Sequence, residues 1–571
     1  MLHIYRSNRV EVLAHALAAR LHASPLPDPL EPERVVVATH GMAQWLSQRL
    51  SHQLGSTDGT ADGICANVVY PFPRQAVDEL LCACLGPDPG QSDPWSPDRL
   101  TWSVLRELPG LLGDEAFSQL RTYLGAELVE HGDGVVGRRA FGLARRLADL
   151  LDQYALMRAD MVRAWSRGEL AGAVPGQPLP PEHRWQAELW RRLEQALHVQ
   201  PLSERFRQAI ARLTDPTQPV PTMPQRLSFF GLSALPPMFL ELLGAASRHV
   251  HVDLYLLCPS AAFWSDIQAK REQLRHCRVL PDPAELALRE GNPVLASLGR
   301  LGRDFQIALE RLDEPYALQG TDLFVDPEQI ARREARAPTM LELLQADILH
   351  LRNRGARGAL QPDRHTVEST DTSIRVHACH GAIRQVEVLR DALLRLMSED
   401  PSIEPRDILV LTPDIARFAP LVAAVFADGC PCATRPAEGW GLAGAPELPF
   451  QVTDRCLRET NPVAGALMHI LDMVPGRVPA SAVLDLLAFE PVRRRFGLGD
   501  DDLHLVQRWI RESGIRWGVD GEHRKTHDQP CDDANSWRFG LDRLLLGAAM
   551  PDEGERMFGS TVPFDDMEGA S

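Results

Sequence analysis

The stretch "RVVVATHGMAQWL", residues 34–46, sets the strongest limit on what this chain can fold into. Its three consecutive valines predict a short strand buried on both faces, because a half-exposed strand would alternate apolar with polar residues. A tight turn at Gly41 follows. Met42, Trp45, Leu46, Leu50 and Leu54 then recur at helical spacing, and Gly55 closes the run. A strand buried on both faces needs neighbours on either side and helices above and below, which a parallel α/β sheet supplies.

The same alternation recurs on both sides. "LHIY" (2–5) predicts a strand. "NRVEVLAHALAARL" (8–21) predicts a helix with an Asn8-x-x-Glu11 capping box, and Val12, Leu13, Ala16, Leu17 and Leu21 share one of its faces. "ANVVYPFP" (66–73) and "RQAVDELLCACLG" (74–86) predict a third strand and a third helix. Strand, helix and strand resume at "RLSFFGL" (226–232), "PPMFLELLGAAS" (236–247) and "HVHVDLYLL" (249–257).

Between these blocks the text is helical. "RRAFGLARRLADLLDQYALMRADMVRAW" (138–165) and "HRWQAELWRRLEQAL" (183–197) flank a Pro/Gly-rich loop, "AVPGQPLPPEH" (173–183). A helix around "MLELLQADILHL" (340–351) ends this part, and "RNRGARGALQPDRHTVESTDTS" (352–373) is polar and rich in breakers, as a linker should be. Beyond it "SIRVHACHG", "IRQVEVLRDALLRLM" and "RDILVLTPD" predict a second βαβ unit, and the chain from about 460 is mainly helical. The expected organisation is a first α/β domain in two parts, 1–90 and 215–351, around an all-helical insertion, 91–214. A linker, 352–373, leads to the start of a second α/β domain, 374–455, and to its helical insertion, 456–571. No closing strand for the second sheet is visible, so that domain is expected to be incomplete.

A chain of 571 residues, 44% hydrophobic and 24% charged, needs more than one core and has an ordinary globular composition. "MLHIYRSN" lacks the apolar centre of a signal peptide, and the longest apolar stretch, "GLSALPPMFLELLGAAS", carries Glu241. The expectation is a cytoplasmic protein with no membrane partner. A net charge of −17 argues against coating nucleic acid by charge alone, though it permits a channel where a few side chains read bases.

The ten cysteines include no CxxC pair. Cys82/Cys84, Cys430/Cys432 and "HACH" (377–380) are the arrangements that could hold a metal. Scattered cysteines are ordinarily buried reduced thiols, so no metal site is expected.

Lysine is nearly absent: only Lys270 and Lys525 occur among 60 lysines and arginines. A P-loop needs Gly-Lys-Ser/Thr, because the ammonium bridges the β and γ phosphates. Neither "IQAKRE" nor "HRKTHD" fits, and neither supplies the Glu-x-Lys of a metal-dependent nuclease core. No catalytic residue and no cofactor site is therefore assigned.

Two α/β domains with a helical insertion in the first suggest the paired motor domains of a superfamily 1 helicase. "GMAQWL" (41–46), "ADLLDQY" (148–154), "GLSALPP" (231–237), "GNPVLASLGRLGRD" (291–304), "VHACHGAIRQVEVL" (376–389), "ESGIRWG" (512–518) and "SWRFGLDRLLLG" (536–547) make the likeness specific. Collinear and spanning almost the whole chain, they resemble the RecC family, the gamma subunits of exodeoxyribonuclease V, the RecBCD helicase–nuclease. The resemblance implies an α/β, superfamily 1 helicase-like fold with degenerate RecA-like parallel-sheet domains and all-helical insertions.

It also implies a non-catalytic subunit of a heterotrimer with RecB-like and RecD-like partners, which would hold the ATP and magnesium. The subunit would bind duplex ends and single strands, guide the unwound strands and scan one for Chi during recombinational repair of double-strand breaks. RecC proteins are about twice as long and end in a nuclease-like domain without its catalytic residues, so this sequence is expected to be an N-terminal portion. An inactive or interaction-only fragment is the alternative, and a degenerate helicase retaining nucleotide binding is a third reading.

The candidate reading face is "ADLLDQYALMR" (148–158). Asp149, Asp152 and Gln153 stand at i, i+3 and i+4, with Leu150 beside them and Arg158 further on. Carboxylates accept from cytosine N4, Gln pairs with adenine and Arg with guanine, so the set suits base edges better than phosphate. The residues alone favour a solvated polar face with an internal salt bridge. The resemblance puts Asp149, Leu150, Asp152, Gln153 and Arg158 on positions lining the Chi-scanning channel, with Gln44 of "GMAQWL" and Phe72 of "YPFP" as further DNA-reading positions. Ala38 and His40 depart from the enterobacterial pattern, and Phe72 replaces a smaller apolar residue, which leaves the hotspot sequence open.

Trp45, Trp165, Trp185 and Trp190 could stack bases, but beside leucines at helical spacing they are expected in the core. "HACH" is expected as strand core entering a helix. Arg494 in "PVRRRFG" suits either phosphate or a solvated charged run.

Overall fold

In the computed structural model the three valines lie at the heart of a sheet: Val35, Val36 and Val37 are all fully buried. The structure describes residues 1–54, 63–86, 93–124, 138–174, 176–217, 223–267, 291–354, 366, 368–426, 448–453, 456–550 and 557–565. They divide into two units, Met1–Val376 and His377–Ser571.

In the first unit β1 (Leu2–Ser7), α1 (Val10–Ala23), β2 (Glu33–Val36), α2 (His40–Ser51), β3 (Val68–Val69) and α3 (Pro73–Leu85) follow one another. Six helices come next: α4 (Pro97–Leu111), α5 (Ser118–Leu124), α6 (Arg138–Met157), α7 (Ala159–Ser166), α8 (Arg184–Leu197) and α9 (Leu202–Thr214). The sheet then resumes with β4 (Arg226–Phe230), α10 (Pro237–Ala246), β5 (His251–Leu257) and β6 (Gln319–Asp322). All pairings are parallel and the strand order is β3-β2-β4-β5-β1-β6.

Strand alternation sorts the two faces. Leu227, Phe229, Val252, Leu254 and Leu256 pack with α3, α9 and α10, whereas Val35, Val37, Phe230 and Tyr255 pack with α1 and α2. The α4–α8 helices enclose a separate core around Leu100, Val104, Leu151, Trp165 and Trp190.

Several local expectations change. β3 is only two residues long, because Pro71 and Pro73 lack the amide hydrogens a longer ladder would need. β6 escapes the apolar pattern altogether: "QGTD" is held to β1 by backbone pairing, with His3 to Thr321 at 2.7 Å and Arg6 to Asp322 at 2.8 Å alongside. Asn8 does not cap α1, whose N-cap is Arg9. Instead its amide takes both backbone groups of Val325, at 2.8 and 2.9 Å, and pins the chain leaving β6.

The described ends of the segment read as a linker are fastened to one helix, Met340–Leu349. Arg352 and Arg354 pair with Asp347 at its end, while Asp371 Oδ2 accepts from Met340 N at 2.6 Å at its start.

In the second unit the helix Ala382–Glu399 forms as predicted, and helices dominate from Pro462 onward. The two flanking strands do not: among the described residues "SIRVHACHG" and "RDILVLTPD" have no paired neighbour strand. Val376, Leu409 and Leu411 are accordingly 92%, 81% and 84% exposed. A strand exists only through its ladder, and none of these residues finds one. "HACH" is thus largely exposed chain, not strand core. No helix among the described residues is long and apolar enough to cross a membrane.

Candidate nucleic-acid interface

In a parallel α/β sheet, ligands gather where strands end and helices begin. Two such ends converge here. β2 runs out through Ala38 and Thr39, whose hydroxyl caps α2 by accepting from Met42 N at 3.2 Å. β3 runs out through Tyr70 and Pro71 to Phe72, the N-cap residue of α3, with Pro73 preset at the first helical position. The His40 and Phe72 rings meet edge to face at 4.8 Å. Gln44 stands one turn beyond His40 on α2 and is exposed.

α3 then reaches the helical insertion. Arg74 lies in its first turn, with Nε 3.3 Å from Asp78 Oδ1 and Nη1 3.5 Å from Asp152 Oδ1 on α6. α6 takes this position because Ala144, Leu147, Ala148, Leu151 and Ala155 form its buried stripe. The opposite side leaves Asp149 and Gln153 exposed, Leu150 half-buried and Asp152 at 17% side-chain exposure.

Burial pushes the Asp152 carboxyl above its ordinary range; the Arg74 guanidinium opposes this, and nearby Asp93 and Asp149 add to the rise. Asp78 is raised by burial too, again against Arg74. A second guanidinium, Arg205 of α9, holds Asp93 at 3.0 Å. Asp78, Asp93 and Asp152 are therefore held by two arginines where α3, α6 and α9 meet, with Asp149 beside Asp152 on α6.

Of the residues singled out from the sequence, Phe72 meets His40 and stands two residues before Arg74, which pairs with Asp152; Gln44 is one turn beyond His40, and Asp149, Leu150 and Gln153 share the α6 turn. Arg158 sits apart, at the break between α6 and α7, where its Nη1 donates to the Ala173 carbonyl at 3.1 Å. The ion pair of Asp152 runs to another helix, not within α6. Sequence reading missed Arg74, Asp78, Asp93 and Arg205. The i, i+4 spacing of Arg74 and Asp78 is visible in the text; the convergence of α3, α6 and α9 is not.

The tryptophans are core residues. Trp165 and Trp190 are fully buried, Trp185 packs against the same cluster, and Trp45 leans on Phe230 beneath Arg49. Arg494 is paired with Glu490, and its neighbour Arg493 with Asp500 at 2.6 Å. Cys82 is exposed while Cys84 is buried, which pushes its thiol up to about 11 against the pull of Arg212. No trio of His, Cys, Asp or Glu among the described residues is placed to hold a metal. Cys430, Cys432 and Lys270 lie outside the described residues, and Lys525 pairs with Glu522 at 2.8 Å.

Chemically, the edge offers carboxylate and amide acceptors beside an aromatic pair, a surface suited to base edges and flat rings.

Two family models and several curated proteins match this chain. The model of the RecC N-terminal domain matches residues 2–351, and that of the RecBCD enzyme subunit RecC fourth domain matches 460–571. The RecBCD enzyme subunit RecC of Mycolicibacterium smegmatis is 37% identical over 571 residues, covering 99% of this chain and 47% of that protein. Its counterpart from Mycobacterium tuberculosis H37Rv is 36% identical over 572 residues, with 99% and 48% covered. The Escherichia coli K12 protein is 33% identical over 601 residues, with 100% and 50% covered. The chain spans about half the length of the curated relatives it matches.

Proposed function

The chain belongs to the RecC family, and on that premise we propose that it is a non-catalytic DNA-binding and scaffolding subunit of a RecBCD-type helicase–nuclease. Its partners are RecB-like and RecD-like subunits, which hold the ATP and magnesium, and it works in the cytoplasm on duplex ends and the strands unwound from them. Its two units are degenerate superfamily 1 helicase domains, a reading supported by the first unit's parallel sheet with a helical insertion and by the two lysines, neither of which fits a P-loop.

The observation that carries this reading is the edge at the ends of β2 and β3 where His40 meets Phe72, with Gln44 one turn along α2 and Arg74 reaching Asp152 on α6. A strand passing that edge meets acceptors for base amino groups, which suits scanning for a sequence such as Chi better than gripping phosphate. The scanned face comprises Gln44, Phe72, Asp149, Leu150, Asp152 and Gln153, with Arg158 flanking it.

The test is the assembled complex carrying Gln44→Ala, Asp149→Ala or Asp152→Ala. Hotspot response is expected to fall while unwinding continues, and an unchanged response sinks the channel assignment. Failure of the chain to co-purify with RecB-like and RecD-like subunits would favour an inactive fragment. ATP turnover by the chain alone would favour a degenerate helicase.

A further inference from the structure

Arg74 was not among the residues that sequence reading marked, yet it touches two of the four carboxylates at the candidate interface. Its guanidinium is divided between Asp78 on its own helix and Asp152 on α6, at 3.3 and 3.5 Å. It follows directly on Phe72 and Pro73, so the residue that would stack a base and the one that aims Asp152 sit on a single helical turn. We propose that Arg74 is a positioning residue for base reading: it engages Oδ1 of Asp152 and so presents Oδ2 as the acceptor for the exocyclic amino group of cytosine. The inference rests on the reading of Asp152 as a base contact.

The chemistry gives Arg74 a second duty. Asp152 faces Asp149 on its own helix, Asp93 from the segment before α4 and Arg74 from α3; Asp78 of α3 shares Arg74, and Arg205 of α9 lies behind Asp93. Burial and the neighbouring acids favour the protonated carboxyl, and Arg74 is the group that opposes them. An ionised carboxylate only accepts hydrogen bonds; a protonated one also donates. Losing Arg74 would therefore change which base edge the site prefers, because cytosine presents an amino donor where thymine presents a carbonyl acceptor.

The experiment uses the full chain and fluorescence anisotropy with oligodeoxycytidylate and oligothymidylate of equal length, titrated through the acid range. The unsubstituted chain is expected to prefer oligodeoxycytidylate by about tenfold and to lose the preference on acidification. In Arg74→Ala the preference should be smaller at neutral pH and disappear at a higher midpoint.

Arg74→Lys, which keeps the charge, should restore the midpoint, and Arg74→Gln, which keeps the length without it, should not. The Lys and Gln pair carries the test if circular dichroism shows the alanine variant misfolded. A wild-type preference and midpoint in both neutral variants overturns the proposal, provided Asp152→Asn abolishes the preference. If Asp152→Asn behaves as wild type, or if no preference exists at all, the base-contact reading fails and the role of Arg74 falls with it.

Discussion

At the residue scale, Asp152 separates what the sequence exposes from what it hides. Its phase on α6 with Asp149 and Gln153 follows from helical spacing alone, but its half-burial depends on Arg74, which is 78 positions away and belongs to a different core. Periodicity reports on which face a residue lies; it carries no signal for what another helix brings against that face. The raised carboxyl has a consequence for stability. A group that holds its proton more tightly in the fold than in the open chain favours the fold at low pH, and that contribution is lost as pH rises through the folded value. Asp152→Asn should therefore leave the thermal midpoint unchanged or higher at neutral pH, and the difference from wild type should shrink below the ordinary carboxylate value of 3.8. A neutral-pH midpoint well below wild type would show that the Arg74 pair outweighs the burial cost. Gly231 offers a simpler case at the end of β4. Its φ of +66° lies in the left-handed region, while an added Cβ would only graze Met42 Cε at 3.4 Å. Gly231→Ala should cost about 1–2 kcal/mol in denaturant titrations, from backbone strain and not from overlap.

At the element scale, helices were the legible part. The stripes of α2, α6 and α8 each mark a face that is buried, because a helix needs only its own 3.6-residue period to be recognised. Strands were read where they are apolar, as at β4 and β5, and missed where pairing alone makes them, as at β6. The predicted strands of the second unit failed for the converse reason: their apolar residues are present, but no ladder holds them. Caps were the least legible feature. Asn8 looked like half of a capping box, whereas one that forms is at Thr339 and Glu342, on the helix Met340–Leu349. There Arg336 holds the Glu342 carboxyl down to about 2, against burial and with help from Thr339. A depressed carboxyl stabilises the fold fully above its ordinary value of 4.5, and that contribution is lost as pH falls toward about 2. Thr339→Ala should cost about 1 kcal/mol at neutral pH. Glu342→Gln should destabilise at neutral pH and approach wild type near the bottom of that window, which an acid series of thermal melts will read.

At the scale of the whole molecule, the two units differ in how their cores are built. The sheet unit buries long runs of large side chains on both faces, among them Phe206, Phe229, Phe230 and Tyr255, all fully buried. In the second unit the described cluster centres on Val386, Phe426 and Leu448, ringed by partly buried leucines. The helix Pro462–Met473 presents an apolar stripe to solvent: Val463, Leu467, Ile470 and Leu471 are 62%, 55%, 41% and 53% exposed, and Val474 beyond its end is 70% exposed. Burial is the main favourable term in folding, so a unit that leaves such a stripe in water holds less stability per residue than one that does not. Calorimetry of the full chain should therefore resolve two transitions, with the second unit melting first. Val386→Ala should remove about 2 kcal/mol from the lower transition and leave the upper one in place. Phe229→Ala should do the opposite, lowering the upper transition by about 3–5 kcal/mol. A single transition that both substitutions shift together would mean that the units fold as one cooperative body, and the separate cores would then be a division of geometry without one of energy.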